Sequence, residues 1–224
     1  MSIKRTVLAA LLISSLDVHA GVILGGSTLL DNAGLSQLES WLGQSQLTLS
    51  NVFTKTAGST SASFHAAADR KGPTFALMSA SEDGGATWKT IGGYNPAGWG
   101  TVTGYRYSNN PSLWTAFIFN LSDGVKEEQS NGAQTYNYVT FGPTFGSGHD
   151  IYVDQTLSNG YSFGGSYGAA DGRSIVDGSL YDGGNMRIAA LEVFSIVPEP
   201  ASLSLMGVGL LGWAVTRRKK ATLA

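Results

Sequence analysis

Cysteine is absent from the 224-residue chain. Thiol nucleophiles, thiolate metal centres, redox pairs and disulfides are excluded together, and nothing is left to mispair in an oxidising compartment. Charge is scarce as well. Asp, Glu, Lys and Arg make up 13% of the residues, against about 25% in an average globular domain. Fourteen Lys and Arg against 16 Asp and Glu give a net charge of −2, which excludes the basic footprint of a nucleic-acid binder. Proline is limited to 6 residues, whereas glycine reaches 30 without any three-residue period. Collagen is therefore excluded, and a hydrophobic content of 42% excludes disorder.

The longest apolar runs lie at the two ends. Lys4 and Arg5 precede the apolar stretch Thr6 to Leu16, and Val18-His19-Ala20 forms a small-x-small exit before Gly21. This is the order of parts in a secretory signal peptide, and it predicts passage through the translocon with cleavage between Ala20 and Gly21. At the other end Pro198-Glu199-Pro200 breaks the chain, Ala201 to Val215 is apolar, and Arg217-Arg218-Lys219-Lys220 closes it. A transmembrane helix is expected there, short for the ~30 Å hydrocarbon core. Trp213 and the basic cluster at the interface make up the deficit, with the basic end cytoplasmic. A plain tail anchor is one reading of this ending. The run Val197-Pro198-Glu199-Pro200-Ala201, the short helix and the basic tail, in that order, resemble the PEP-CTERM sorting signal of exported bacterial proteins. That resemblance implies recognition by an exosortase, processing near the Pro-Glu-Pro, and a place in the cell envelope or outside the cell.

Gly21 to Val197 remains as one domain. Without Asp17, Glu199 and the six terminal bases it holds 14 acids against 8 bases, a net charge of −6. A domain of this size buries about 70% of its unfolded surface and needs no covalent staple. Leu35, Leu38, Trp41 and Leu42 share a helical face, with Asp31 or Ser36 as the cap and Gly43 as the stop. The runs 75–78, 114–119, 135–139, 151–153 and 188–196 read as strands separated by Gly, Asn, Asp and Pro. No alternation of strands and helices is evident, so a parallel nucleotide-binding sheet and its cofactor are not expected. The fold class is mainly β, a two-sheet antiparallel sandwich with one or two flanking helices.

A longer resemblance runs from about Leu35 to Ile196. Phe64-His65, Asp69 and Lys71-Gly72-Pro73-Thr74 come first, then Ile91-Gly92-Gly93-Tyr94 with Trp99. Thr115 to Leu121, Phe141-Gly142-Pro143-Thr144-Phe145-Gly146, His149-Asp150-Ile151-Tyr152-Val153 and Leu191-Glu192-Val193-Phe194 follow. In this order the segments resemble the TLDc domain family, which implies a sandwich of two antiparallel sheets with flanking helices. The family has no agreed catalytic residues to transfer. Its eukaryotic links to oxidative-stress protection and to the V-type proton pump do not carry to an exported, cysteine-free chain, in which Ala68 stands before the first-motif aspartate.

Four further motifs each have a bland and a sharp reading. His65 and Asp69 form either an acid–base or metal pair, or a loop clamp bonded to backbone. Ser81-Glu82-Asp83-Gly84-Gly85-Ala86-Thr87-Trp88 matches the Asp-box of sialidase-like propellers; occurring once, it reads as a hairpin turn with Trp88 packed beneath. Gly164-Gly165-Ser166-Tyr167-Gly168 matches a nucleophile elbow but lacks a following helix and a later histidine. Asp171, Asp177 and Asp182, each before glycine, are turn dipeptides or Ca²⁺ ligands without EF-hand spacing. A non-enzymatic surface or matrix protein is expected, with Tyr94, Trp99, Tyr105, Tyr107 and Trp114 available to stack on exopolysaccharide if exposed together. The alternatives are a hydrolase pairing Asp69 with Asp150 or Glu192, and a Ca²⁺-stabilised adhesin.

Overall fold

The computed structural model describes residues 21–100, 102–181, 183 and 185–198. The expected signal peptide and transmembrane helix, Glu199-Pro200, the basic tail and Asp182 lie outside the described residues. Among the described residues no helix is long and apolar enough to cross a membrane. The described residues are mainly β, with two sheets and two α-helices among them.

Strand β1 (Val22–Leu24) leads into helix α1 (Asn32–Leu42) and strand β2 (Thr48–Thr54). Asp31 caps α1 by accepting the Gly34 N–H at 2.8 Å, whereas Ser36 lies within the helix. Gly43 ends it at φ 70°, a left-handed conformation that only glycine adopts cheaply. β1 and β2 pair in parallel, contrary to the expectation of a wholly antiparallel fold. A parallel pair needs a crossover, and α1 supplies it. A strand of three residues is too short to show as a repeat of the β–α rhythm.

The sequence offered no second helix across 61–68, yet α2 (Ser61–Ala68) is there. Its N-terminus is closed by the Thr60 N–H donating to Ser63 Oγ at 2.9 Å. Strands β3 (Thr74–Ser81), β4 (Lys89–Asn95), β5 (Gly104–Tyr107), β6 (Phe117–Asn120), β7 (Val125–Glu128), β8 (Ala133–Asn137), β9 (Tyr152–Val153), β10 (Asn159–Tyr161) and β11 (Met186–Val197) follow. Trp114 to Ala116, expected as strand, instead follow a 3-10 turn at Pro111–Leu113.

The large sheet runs β1-β2-β11-β3-β4-β6-β7, and β10, itself paired with β9, joins β11 beyond the end of β2. β3 sets its two faces by period-two alternation. Phe75 and Leu77 pack with Leu35 and Leu38 of α1, and Ala76, Met78 and Ala80 pack with Phe64 and Ala68 of α2. On β11, Ile188 and Leu191 share the α2 face although they are three positions apart, an odd offset that regular alternation would put on opposite faces. Ala189 is an extra residue there, skipped where Ile188 pairs Ala80 and Ala190 pairs Ser79. The loops of 138–181 cover the α2 side, and the second sheet, β5–β8, joins them where Thr135 bridges Phe145.

Candidate functional site

His65 lies on the buried side of α2, where both of its ring nitrogens meet acceptors. Nδ1 is 2.9 Å from Asp69 Oδ1, and Nε2 is 3.1 Å from the carbonyls of Tyr138 and Phe141. The pair is thus a clamp, binding helix to loop, rather than a site open to substrate. Its neighbours do similar work. Gly72, at φ 74°, sits so close to Gly98 that a Cβ on Gly98 would lie 2.6 Å from the Gly72 carbonyl. The Pro73 carbonyl accepts from Ile196 N at 3.1 Å. Gly93 makes room for the Phe145 ring, and Gly142 for Leu157 and Val153 beside buried Pro143. His65→Ala leaves one carboxylate and two carbonyls without their donor. The expected loss is about 2 kcal/mol, read as a lower midpoint in chemical denaturation.

Asp150 is fully buried and occupies a nest of amides. Its Oδ1 accepts from the N–H groups of Gly165, Ser166 and Tyr167 at 2.8, 2.8 and 2.9 Å, and Oδ2 from Ser166 at 3.1 Å. Burial pushes its carboxyl up to about 6 against the pull of these amides. The nearby Glu127 carboxyl is also raised, by burial first and then by the charges of Asp150 and Asp171. Ser166 is buried, and its Oγ accepts the Ser147 N–H at 2.7 Å, so it does not present a nucleophile. Glu192 accepts from Thr28 N and Oγ1, both at 2.8 Å, and from the Ser27 hydroxyl. These partners precede α1, whereas Asp69 ends α2 on the other face of the sheet. Asp69 and Glu192 are thus not brought together; Asp150 and Glu192 each hold backbone amides, and Asp69 holds the His65 ring.

The Asp-box forms the β3–β4 turn. Asp83 Oδ1 accepts from the Ser81 hydroxyl and from Thr87 N, at 2.7 and 2.9 Å, and these bonds hold its carboxyl well below the usual range. Gly84 and Gly85 take the positive φ values of 77° and 100°. Trp88, expected beneath the turn, is 42% exposed and lies over Gly85 instead. Asp171 and Asp177 each cap a local turn, accepting from Arg173 N and Ser179 N at 3.2 and 2.8 Å.

The expected aromatic set divides. Tyr94 and Trp99 are core residues, the first in the α1 layer and the second against Phe64 and Phe145. Tyr105 and Tyr107 are exposed. Tyr105 begins a different assembly, made by topology rather than by sequence spacing. Its ring centroid lies 4.7 Å from Tyr136, which reaches Tyr138, Phe141 and His149 at 6.3, 5.8 and 5.4 Å. His149 stacks on Tyr152 at 5.7 Å and 24°, and Tyr152 meets Tyr161 at 5.0 Å. Tyr161 meets Tyr181, which meets Phe163, at 5.5 and 5.7 Å. Nine rings thus form one strip, fully or partly open to solvent.

His149 is the polar member of that strip. It holds a left-handed φ of 70°, unusual for a residue with a Cβ, which turns its ring onto Tyr152. Its Nδ1 is buried without a hydrogen-bond partner among the described residues. Burial lowers its basicity, opposed by the Gly146 backbone, so the neutral imidazole is favoured. Burial likewise raises Tyr152 and Tyr161, with Asp154 adding to the first and neighbouring tyrosines to the second. The strip is therefore uncharged at neutral pH: a surface of ring faces edged by hydroxyls.

Residues 23–197 match the TLDc domain model, and residues 197–219 match the PEP-CTERM protein-sorting motif. Among curated proteins none matches the chain. The sorting motif makes this an exported, cell-envelope-associated protein processed by an exosortase. Its body, over most of its length, belongs to the TLDc domain family.

Proposed function

We propose that the protein is a non-enzymatic surface or matrix module that holds exopolysaccharide on its tyrosine strip. The observation that supports this is the continuous run of nine open rings from Tyr105 to Tyr181. Sugar rings carry one face of C–H groups and a rim of hydroxyls. Tyrosine offers the matching pair, an apolar face and a phenolic oxygen, at low conformational cost. A large exposed aromatic surface is otherwise an aggregation liability and marks a binding site. The non-enzymatic reading is supported by the engagement of all three carboxylates, Asp69 with the His65 ring and Asp150 and Glu192 with backbone amides.

Co-sedimentation with exopolysaccharide isolated from the host tests this. The exported protein is expected to pellet with the polymer. Changing Tyr105, Tyr138 and Tyr181, all exposed, to serine together should weaken retention at least tenfold with little change in melting temperature. Equal retention of the triple variant defeats the reading.

A further inference from the structure

A second ring-lined site lies on the other face of the large sheet, under the C-terminal end of α1. It is a cavity of about 400 Å³, within the size range of small-ligand sites. Trp41 and Leu42 from the end of α1, Trp114 and Thr115 from the segment before β6, and Tyr94 and Phe117 of the sheet line it. Gln44, Lys126 and Glu128 supply its polar groups.

The charges of this cavity cancel within it. Lys126 Nζ donates to Glu128 Oε1 at 2.9 Å and to the Trp41 carbonyl at 3.0 Å, and sits 4.9 Å from the centroid of the Phe117 ring. The ammonium is thus committed to a carboxylate, a helix-end carbonyl and a ring face, which leaves it poorly placed for an anionic ligand. The same ammonium repels a cation that the indoles would otherwise attract. What remains is aromatic surface with amide, phenol and carboxylate groups at its edge, and no net charge.

Trp114 is fixed for this role. Its Nε1 donates to the Ser108 carbonyl at 2.8 Å, so the indole orientation is set by backbone before any ligand arrives. A pre-set ring loses little entropy on binding.

We infer that this cavity binds a neutral pyranose, its C–H face against an indole and its hydroxyls on Gln44 and Glu128. The site uses none of the strip's residues and goes beyond the function proposed above. It gives the protein two separate contacts with saccharide, one a surface and one a pocket for a single unit or chain end.

Tryptophan fluorescence of the exported protein, titrated with methyl glycosides of neutral hexoses, tests the inference. A saturable change is expected with at least one of them. It should weaken at least tenfold in Gln44→Ala and in Glu128→Gln, both exposed substitutions that leave the core intact, and persist in the strip variant. Trp114→Phe should remove most of the signal. No saturable change with any neutral glycoside overturns the inference, as does an equal response to glucuronate or choline. A response lost in the strip variant but kept in Glu128→Gln also overturns it, while leaving the strip's own function standing.

Discussion

Asp150→Ala should cost the domain about 4 kcal/mol, enough to lower its melting temperature by roughly 8–16 °C. Three consecutive amides, those of half-buried Gly165 and of buried Ser166 and Tyr167, lose their common acceptor. The Ser166 and Tyr167 amides are shut off from compensating solvent, since Asp150, Ser166 and Tyr167 are all fully buried. Asp150→Asn gives the contrasting result. Three of the four bonds converge on Oδ1, an oxygen that asparagine keeps, so a loss within about 1 kcal/mol is expected at neutral pH. Only the Oδ2 position, 3.1 Å from the Ser166 N–H, becomes a donor facing a donor.

The two variants also differ from the parent in pH dependence. Asp150 titrates in the fold at about 6, above the ~3.9 of an unfolded aspartate. Its contribution is therefore fully present below about pH 4 and lost as pH rises through about 6. His149 next to it has the opposite sign. Its folded basicity is lowered, so its contribution is present above about pH 6.5 and lost as pH falls. Asp150→Asn should remove the first effect and leave the second, so its stability should decline on acidification where the parent's is offset. Melting curves between pH 4 and 7.5 measure both. A parent and Asp150→Asn pair with parallel pH profiles defeats this account.

Gly92→Ala is expected to be the other severe change. A Cβ at Gly92 would lie 2.1 Å from the Ala76 carbonyl oxygen and 2.8 Å from the Phe119 ring. The first of these is backbone of the neighbouring strand β3, which cannot rotate aside as a side chain does. The strands must part across the paired residues Leu77 and Gly92, directly over the α1 core. Overpacking of this kind costs about 1–3 kcal/mol and occasionally more. The backbone position of the clash puts Gly92 at the upper end. Reduced yield of folded, exported protein and a midpoint lower by at least that much are the expected results. Gly43→Ala is the control, since nothing lies within 4 Å of its Cβ position. It should cost only the strain of a left-handed residue, about 1 kcal/mol.

Much of the α1 side was legible in the sequence. Leu35, Leu38, Trp41 and Leu42 show the helical period, and Asp31 and Gly43 bound it as its start and stop. α2 was not legible, because Ser-Ala-Ser-Phe-His-Ala-Ala-Ala carries one large apolar anchor, Phe64, and no period to detect. Its helical state is fixed by packing and by the His65 clamp. The candidate site was the least legible part. Tyr94 and Tyr105 look alike in sequence, but one lies in the core and the other opens the strip. Tyr136, Tyr152, Tyr161 and Tyr181 come from four separate segments; β8 pairs with β5 and β9 with β10, and only the fold of these two pairs and the loop of Tyr181 brings the rings together. His149 was noticed as part of a motif, yet its stacking depends on a backbone angle that no residue type announces. The matching order of motifs from Leu35 to Ile196 carried the family assignment, because order along a chain survives where spacing drifts.

The parallel pairing of β1 has a consequence for how the molecule hangs in the envelope. Thr48 of β2 lies between Val22 and Val197, paired with both. Adjacent strands stand about 4.8 Å apart, so the chain enters and leaves the domain at one pole, some 10 Å apart. The stretch that the sequence reads as a signal peptide precedes one of these points, and the sorting motif follows the other. β11 carries the chain to that pole from its far end, where Met186 pairs Gly160 of β10. Twelve residues at about 3.3 Å each put that end more than 30 Å away. Tyr161 stands there, beside Tyr152. Like a bell hung from its crown, a domain tethered through the end of β11 turns this ring-bearing end away from its point of attachment.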